Sequence, residues 1–406
     1  MHLTHISLTD FRSFSRLDLD VPRRILLLLG DNAQGKTSFL ESIYFLATFT
    51  SFFAQTDRQL INFNAAGSPL SVTRIVAEYY RGEKQHKMEV RLIQENAGNG
   101  SVRIRKEILV DGVKRTAQEA LGHFNAVIFL PRMMSIIEGA PEERRRYLNL
   151  TIAQALPGYA RVLGEYHQVL AQRNALLKRL SERGGDAAQL QYWDELLVEK
   201  GARLIHTRIS AIAELERIAI QIHEHLTDEK EVLRLSYQPA YDPLPSQEGQ
   251  YSLRLDTPVL RTGISLEDIR QGFSNRLRAL SREEINRGVT TIGPHRDELR
   301  ILGNGIDLGN YGSRGQTRTA LLSLKLAEVK WLKQKTGYWP VLLLDEFLAE
   351  LDKIRRRRLL EFLEESEQAL LTTTDLHFFD DEFLHNSTVW VVKAGQVSLQ
   401  DGSHRG

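Results

Sequence analysis

Eight residues in succession, Gly30-Asp31-Asn32-Ala33-Gln34-Gly35-Lys36-Thr37, match G-x-x-x-x-G-K-[ST], the pattern of a loop that cradles phosphates. Gly30 and Gly35 can take backbone angles closed to residues with a Cβ, so the loop can wrap a phosphate chain and aim successive N–H groups at it. Lys36 brings a positive charge to the β and γ phosphates, and the Thr37 hydroxyl is placed to ligate Mg²⁺. From Ser38 the chain reads as a helix whose positive end meets the phosphates. The ligand this chemistry calls for is ATP with Mg²⁺. A phosphate loop alone leaves the reaction open, and Leu342-Leu343-Leu344-Asp345-Glu346 narrows it. An apolar strand ending in Asp then Glu is a Walker B arrangement: Asp345 holds Mg²⁺ through its water shell, and Glu346 orients and deprotonates the attacking water. A third group, Gly312-Ser313-Arg314-Gly315-Gln316, opens a helix with a small hydroxyl residue and a glycine. Such a start is an anion site, in which Ser313, Gly315 and Gln316 would face a γ-phosphate.

These residues need elements to hold them. Ile25 to Leu29 is short and apolar, as a buried strand should be, and SFLESIYFL after the loop has helical spacing. Two strand-like runs, HLTHISLTDF and LDLDVPRRILLLL, feed the loop. LSVTRIVAEYY, KMEVRLI and VRIRKEILVDG follow, with turn-like breaks at Gly82, Glu95 to Ser101 and Asp111-Gly112, and read as an antiparallel meander. Ala126 to Leu130 is another short buried strand. Glu142 to about Leu180 then has one continuous helical pattern, and a Gly184-Gly185 break separates it from a second long helix, Ala187 to Leu226. The stretch YQPAYDPLPSQEGQYS reads as a linker, Ser265 to Asn286 as a helix, DELRIL as a strand and Gly315 to Thr336 as a helix. The expected organisation is a nucleotide-binding part in residues 1–135, a helical insertion in 136–288 and the rest of the head in 289–406.

At 406 residues the chain can bury a large core, and its formal net charge of +1 does not advertise a nucleic-acid binder. Any such surface would be a local patch, for which Arg103/Arg105/Lys106, Arg144/Arg145/Arg146 and Lys353 through Arg358 are candidates. No run of about eighteen uncharged apolar residues is present, so no membrane span is expected. The absence of cysteine excludes disulfides and fits a cytoplasmic protein.

Read together, the phosphate loop, the signature at Ser313, the Walker B strand and the helical insertion resemble the SMC-like ABC ATPases. FRSF at Phe11, GDNAQGKTSFLESIY at Gly30, GAPEERRRYLN at Gly139, YHQVLAQRNALLK at Tyr166, GPHRDEL at Gly293 and SRGQTRTALLSLKLAE at Ser313 are similar to the RecF family in particular. The resemblance implies an α/β fold, an ABC-type P-loop ATPase head with an inserted helical lobe. It implies that the signature completes the nucleotide site of a second copy, giving an ATP-dependent homodimer. Ala349 to Asp352 would be the D-loop and Leu371 to Asp375 the switch segment; His377 is expected to be a surface or packing residue. It further implies slow, DNA-stimulated hydrolysis, binding of DNA at gaps or junctions, cooperation with RecR and RecO in loading recombinase, and support of the SOS response. Arg144 to Arg146 and His295-Arg296 are candidates for DNA contact or for structural ion pairing. The chain departs from the family at Arg132-Met133, where an acidic pair is usual, at Phe52-Phe53 after Ser51, where an Arg is frequent, at Asn149, where Asp is favoured, and at Glu346, where a second Asp is usual.

Three other classes compete. A transporter's nucleotide-binding subunit has a compact head, whereas about 150 residues here separate the strand at Ala126 from those after Gly293. A scaffold that binds ATP without turning it over has no use for Glu346 as a base. A small-molecule kinase has no use for the Ser313 signature.

Overall fold

The computed structural model describes residues 1–65, 71–96, 102–244 and 261–399. The first strand-like run is β1 (His2–Phe11), but the second run divides into β2 (Phe14–Asp20) and β3 (Arg24–Leu29). Val21-Pro22-Arg23 is the break, because proline cannot donate to a ladder and Arg24 has φ +78°. The two halves join different sheets. On β2 only Phe14 and Leu17 are buried among exposed polar residues, which suits a sheet with one wet face, and continuous burial of Ile25 to Leu28 in β3 suits a parallel sheet covered on both sides.

Downstream come β4 (Val72–Arg81), β5 (Lys84–Asn96), β6 (Val102–Val110), β7 (Val113–Arg115) and β8 (Ala126–Phe129). Next are β9 (Leu233–Gln238), β10 (Glu298–Gly303) and β11 (Ile306–Asp307), then β12 (Val341–Asp345), β13 (Gln368–Thr373), β14 (Ser387–Lys393) and β15 (Gln396–Leu399). By its internal contacts the chain forms two units, residues 1–133 with 328–406, and residues 134–327. The expected boundary near residue 288 therefore lies inside the second unit. The expected turn at Glu95 to Ser101 falls largely outside the described residues, as do residues 245–252 of the expected linker.

The first unit contains two six-stranded sheets. One is antiparallel, in the order β2-β1-β4-β5-β6-β7; the other runs β15-β14-β3-β13-β12-β8 and is parallel except at β15. On the antiparallel sheet, ion pairs take up the charge, across strands for Arg74 on Glu89, Arg105 on Glu95 and Lys87 on Glu78, and along one strand for Arg91 on Glu89 and Arg105 on Glu107. The Arg74 hydrogen bond, against the cost of burial, holds Glu89 down at about 2. Successive strand residues face opposite ways, and Lys106 accordingly leaves this face for Asp57 (3.0 Å) and the Phe49 carbonyl (2.9 Å). Arg105 and Lys106 therefore do not form one patch.

In the second unit the expected continuous helix is broken. Helices Pro141–Ala155 and Tyr159–Arg183 are separate, because Leu156 before Pro157 is extended and Gly158 adopts φ +83° to start the next helix. Helices Tyr159–Arg183, Leu190–Thr227 and Leu266–Arg287 pack pairwise. The residues before the linker form β9, which pairs antiparallel with β10. Beneath them lies a polar network. Buried Arg208 donates to Asp297 and to the Pro294 carbonyl, both at 2.6 Å, and to Asn149 at 2.9 Å; the Tyr237 hydroxyl also donates to Asp297. Arg173 donates to Asp194 (2.6 Å) and Thr290 (2.8 Å).

Removing one partner of such a buried pair leaves the other charge uncompensated. Arg208→Met is expected to cost about 3–5 kcal/mol, read as a lowered denaturant midpoint of the second unit. His295 supplies a pH prediction. Burial, outweighing its contact with the Thr290 carbonyl, holds it down at about 4, and its Nδ1 lies 2.7 Å from the Tyr166 hydroxyl. The unfolded chain then binds an extra proton between about 4 and the ordinary histidine value near 6.5, so stability falls as pH drops through that window. His295→Gln should flatten that slope in thermal melts; an unchanged slope would remove His295 as its source.

Candidate nucleotide site

Parallel pairing gathers the site. Thr373 lies opposite Leu29 and Asp345 opposite Thr372, so β3, β13 and β12 end side by side, and the loop that follows β3 lies at these carboxyl ends. In open α/β sheets that edge is where ligands bind. The loop passes against β14: a Cβ on Gly30 would lie 2.4 Å from the Val392 carbonyl oxygen. Gly35 has φ +110°, and a Cβ there would meet the Ser13 hydroxyl at 2.9 Å. Ala33 also has positive φ, at +64°. The loop is held from outside by the β14–β15 turn, where Ala394 N–H donates to the Gln34 side-chain oxygen (2.6 Å) and Gly395 N–H to its carbonyl (3.0 Å).

Helix Lys36–Thr48 starts from this loop, with Gly35 in the left-handed region just before it. Lys36 is buried; its ammonium donates to the Gly30 and Asp31 carbonyls and stands 3.4 Å from Glu346 Oε1. The Thr37 hydroxyl lies 2.9 Å from both carboxylate oxygens of Asp345, and Thr372 donates to the same carboxylate at 2.8 Å. Burial, with added repulsion from Glu346, raises the Asp345 pKa against the opposing hydrogen bonds of Thr372 and Thr37. Glu346 adopts φ +51°, its N–H donates to the Thr372 hydroxyl (3.0 Å), and its side chain remains 43% exposed. A hydroxyl and a carboxylate converging within 3 Å are hard oxygen donors of the kind Mg²⁺ takes beside phosphate oxygens. Those residues fit that ion. Asp31, Asn32 and Ala33 are exposed, and Ser38 is half-buried in the first helical turn.

The signature residues belong to the second unit. Ser313 and Gln316 cap each other across the first turn of helix Arg314–Thr336: Ser313 N–H donates to the Gln316 side chain (3.1 Å), and Gln316 N–H to the Ser313 hydroxyl (3.3 Å). Gly315 is exposed, and a Cβ on it would meet nothing within 4 Å. Among the described residues, no contact asks for glycine there, although glycine costs a helix about 1 kcal/mol relative to alanine.

The basic candidates are largely engaged within the chain. Arg144 makes a two-pronged pair with Glu298 (2.7 and 2.8 Å), and Arg145 donates to the Asp297 carbonyl at 2.8 Å. Arg355 pairs with Asp352, Arg356 donates to the Leu348 and Leu351 carbonyls, and Arg357 pairs with Glu361. Arg132 stacks 3.9 Å above Phe53, bringing together two of the places where the chain departs from its resemblance. His377 is exposed and pairs with Asp375 at 2.5 Å. Sequence reasoning missed the Ala394-Gly395 clasp. Its signal was the Ala-Gly pair between the apolar run VWVV and the alternating run QVSL.

Comparison with known proteins gives one family. The model described as RecF/RecN/SMC N terminal domain matches residues 2–396. A DNA replication and repair protein RecF from Roseiflexus castenholzii is 38% identical, with 98% of this chain and 99% of that protein covered. Its counterpart from Halothermothrix orenii is 36% identical, with 97% of each covered. Among solved structures, the recombination mediator protein RecF of the RecFOR pathway with ATPrS superposes with a TM-score of 0.81 at 30% identity over 98% of both chains. The same protein with ATP gives 0.80, likewise over 98% of both.

The Gly30 contact can be tested. Gly30→Ala should weaken binding of a fluorescent ATP analogue by at least about tenfold and lower the melting temperature by several degrees, since the backbone it meets cannot yield as a side chain would. Gly315→Ala, facing open space, should leave the melting temperature unchanged. Equal melting of Gly30→Ala and the unsubstituted chain would remove the steric argument.

Proposed function

The chain belongs to the RecF family, whose relatives are DNA replication and repair proteins, and on that premise we propose that it is an ATP-gated switch which closes two copies on DNA. The observation that carries the reading is the convergence of Lys36, Thr37, Asp345 and Glu346 at the end of one parallel sheet. The loop amides from Gly30 to Ser38 and the Lys36 ammonium bind the phosphates of ATP. Thr37 and Asp345 hold Mg²⁺, which when bound neutralises charge on the β and γ phosphates. Glu346 orients and deprotonates the attacking water, its carboxylate being open to solvent beside the Lys36 ammonium.

Ser313, Gly315 and Gln316 of a second copy face the γ-phosphate and complete the site, and the open space at Gly315 supports that role. The dimer then forms with ATP and parts on hydrolysis, so that binding to DNA, rather than chemical work, is what ATP controls. RecR and RecO are the partners, recombinase loading at single-stranded gaps is the step served, and the protein supports the SOS response. Residues 1–135 and 289–406 supply the head in this reading, and 136–288 the inserted lobe.

Sedimentation velocity with and without Mg-ATP is the direct test. The unsubstituted chain should move from monomer to dimer with ATP, Lys36→Met should remain monomeric, and Ser313→Arg should bind ATP yet fail to dimerise. A chain that stays monomeric at saturating ATP with duplex DNA present would end the composite-site reading. Glu346→Gln should lower turnover by about a hundredfold while preserving the ATP-dependent dimer, since a general base contributes about 10²–10⁴ in rate. Equal rates would instead favour a scaffold that binds ATP without using Glu346.

A further inference from the structure

A cavity of about 380 Å³ opens on the second unit, lined by none of the residues assigned to the nucleotide reading. It is formed by the turn between helices Pro141–Ala155 and Tyr159–Arg183, the middle of helix Leu190–Thr227 and the start of helix Leu266–Arg287. Leu156, Val162 and Leu266 give it apolar walls, and Arg161 and Arg203 are charged groups on its lining. Among the described residues, no carboxylate lines it. Its volume lies in the range of sites that take an apolar group with a few polar anchors.

The two guanidiniums have capacity to spare. Glu165 stands 3.9 Å from Arg161 and Glu199 3.4 Å from Arg203, but both carboxylates also have Lys200, at 2.9 and 3.3 Å. Three cations thus share two carboxylates. Arg161 and Arg203 are 68% and 53% exposed, so an occupant can reach them from solvent while its apolar part enters the cavity. A guanidinium fork recognises a carboxylate in two-pronged geometry.

We infer that this cavity is a docking site for an acidic segment of a partner protein, one that inserts a single bulky apolar side chain and places flanking carboxylates on Arg161 and Arg203. Apolar walls with cationic groups favour this occupant over a nucleic-acid strand, whose backbone would use the arginines but leave Leu156, Val162 and Leu266 uncovered. Nothing in the inference depends on the nucleotide reading, and either can fail without the other.

The probe is a fluorescein-labelled peptide, Gly-Asp-Asp-Phe-Asp-Asp-Gly, titrated with the full chain and read by anisotropy. Saturable binding is expected. It should weaken about tenfold or more when the peptide's Phe becomes Ala, and by a similar factor in the Arg161→Glu/Arg203→Glu double variant. Val162→Asn keeps both arginines and should weaken the peptide alone, with a thermal melt to show that the variant folds. A labelled oligo-dT is run beside it. Binding unaffected by the arginine reversal, no saturable peptide binding, or arginine-dependent binding of oligo-dT without the peptide would each overturn the proposal.

Discussion

One buried carboxylate ties the candidate site together. Asp345 ends a strand with no polar residue before it, and burying a charge there costs several kcal/mol unless hydrogen bonds replace the lost water. Two hydroxyls do so: Thr37, 308 positions earlier in the chain, and Thr372, 27 positions later. Each is placed by parallel pairing, β13 lying between β3 and β12. If the register slipped by one residue, Asp345 would turn to the other face of the sheet and both hydroxyls would lose it. The geometry at the loop is therefore a consequence of strand pairing among Leu26 to Leu28, Leu342 to Leu344 and Ala369 to Leu371, none of which carries any chemistry.

Charge follows the opposite rule from the one its abundance suggests. A chain with 53 basic and 52 acidic residues invites a search for basic patches, and three were legible as runs of Arg and Lys. Runs along a sequence are not patches in space. On β6 they split between faces; in helix Pro141–Ala155 Arg144 and Arg145 turn into ion pairs and carbonyl contacts; in helix Lys353–Glu365 the first turns fold back on Asp352 and on the preceding carbonyls. Much of what looked like a surface for nucleic acid is cross-bracing. The arginines left with spare capacity at the cavity, Arg161 and Arg203, belong to no run at all.

How much could be read in advance depended on whether a residue's role is local. The phosphate loop was legible because each position answers to backbone geometry within a few residues. Asp345 and Glu346 were legible because an apolar strand with an acidic end is rare. The break at Pro157-Gly158 was written in the sequence, but helical spacing on both sides masked it, since two helices in line share a periodicity across a short gap. β9 was hidden for another reason: LRLSYQ alternates properly, yet the Pro- and Gly-rich stretch after it made the region read as linker. Arg208, Asp297 and Tyr237 could not be paired by sequence, because hydrogen bonds across 60 to 89 positions leave no local trace. The same holds for Arg132 over Phe53, which joins two departures from the family pattern that had read as unrelated.

The turn at Ala394-Gly395 has a consequence for how a ligand would arrive. Free loops of this length sample many shapes, and ordering each backbone residue costs roughly 1–2 kcal/mol. Gln34 is held by two hydrogen bonds from Ala394 and Gly395, far along the chain, and Gly30 is pressed against Val392, so the loop's shape is settled by the β14–β15 hairpin during folding. The ordering entropy is then charged to folding rather than to binding, which favours affinity. A site organised this way behaves as a rigid receptor, and its response to a ligand lies in side chains such as Lys36 and Glu346 rather than in the main chain around them.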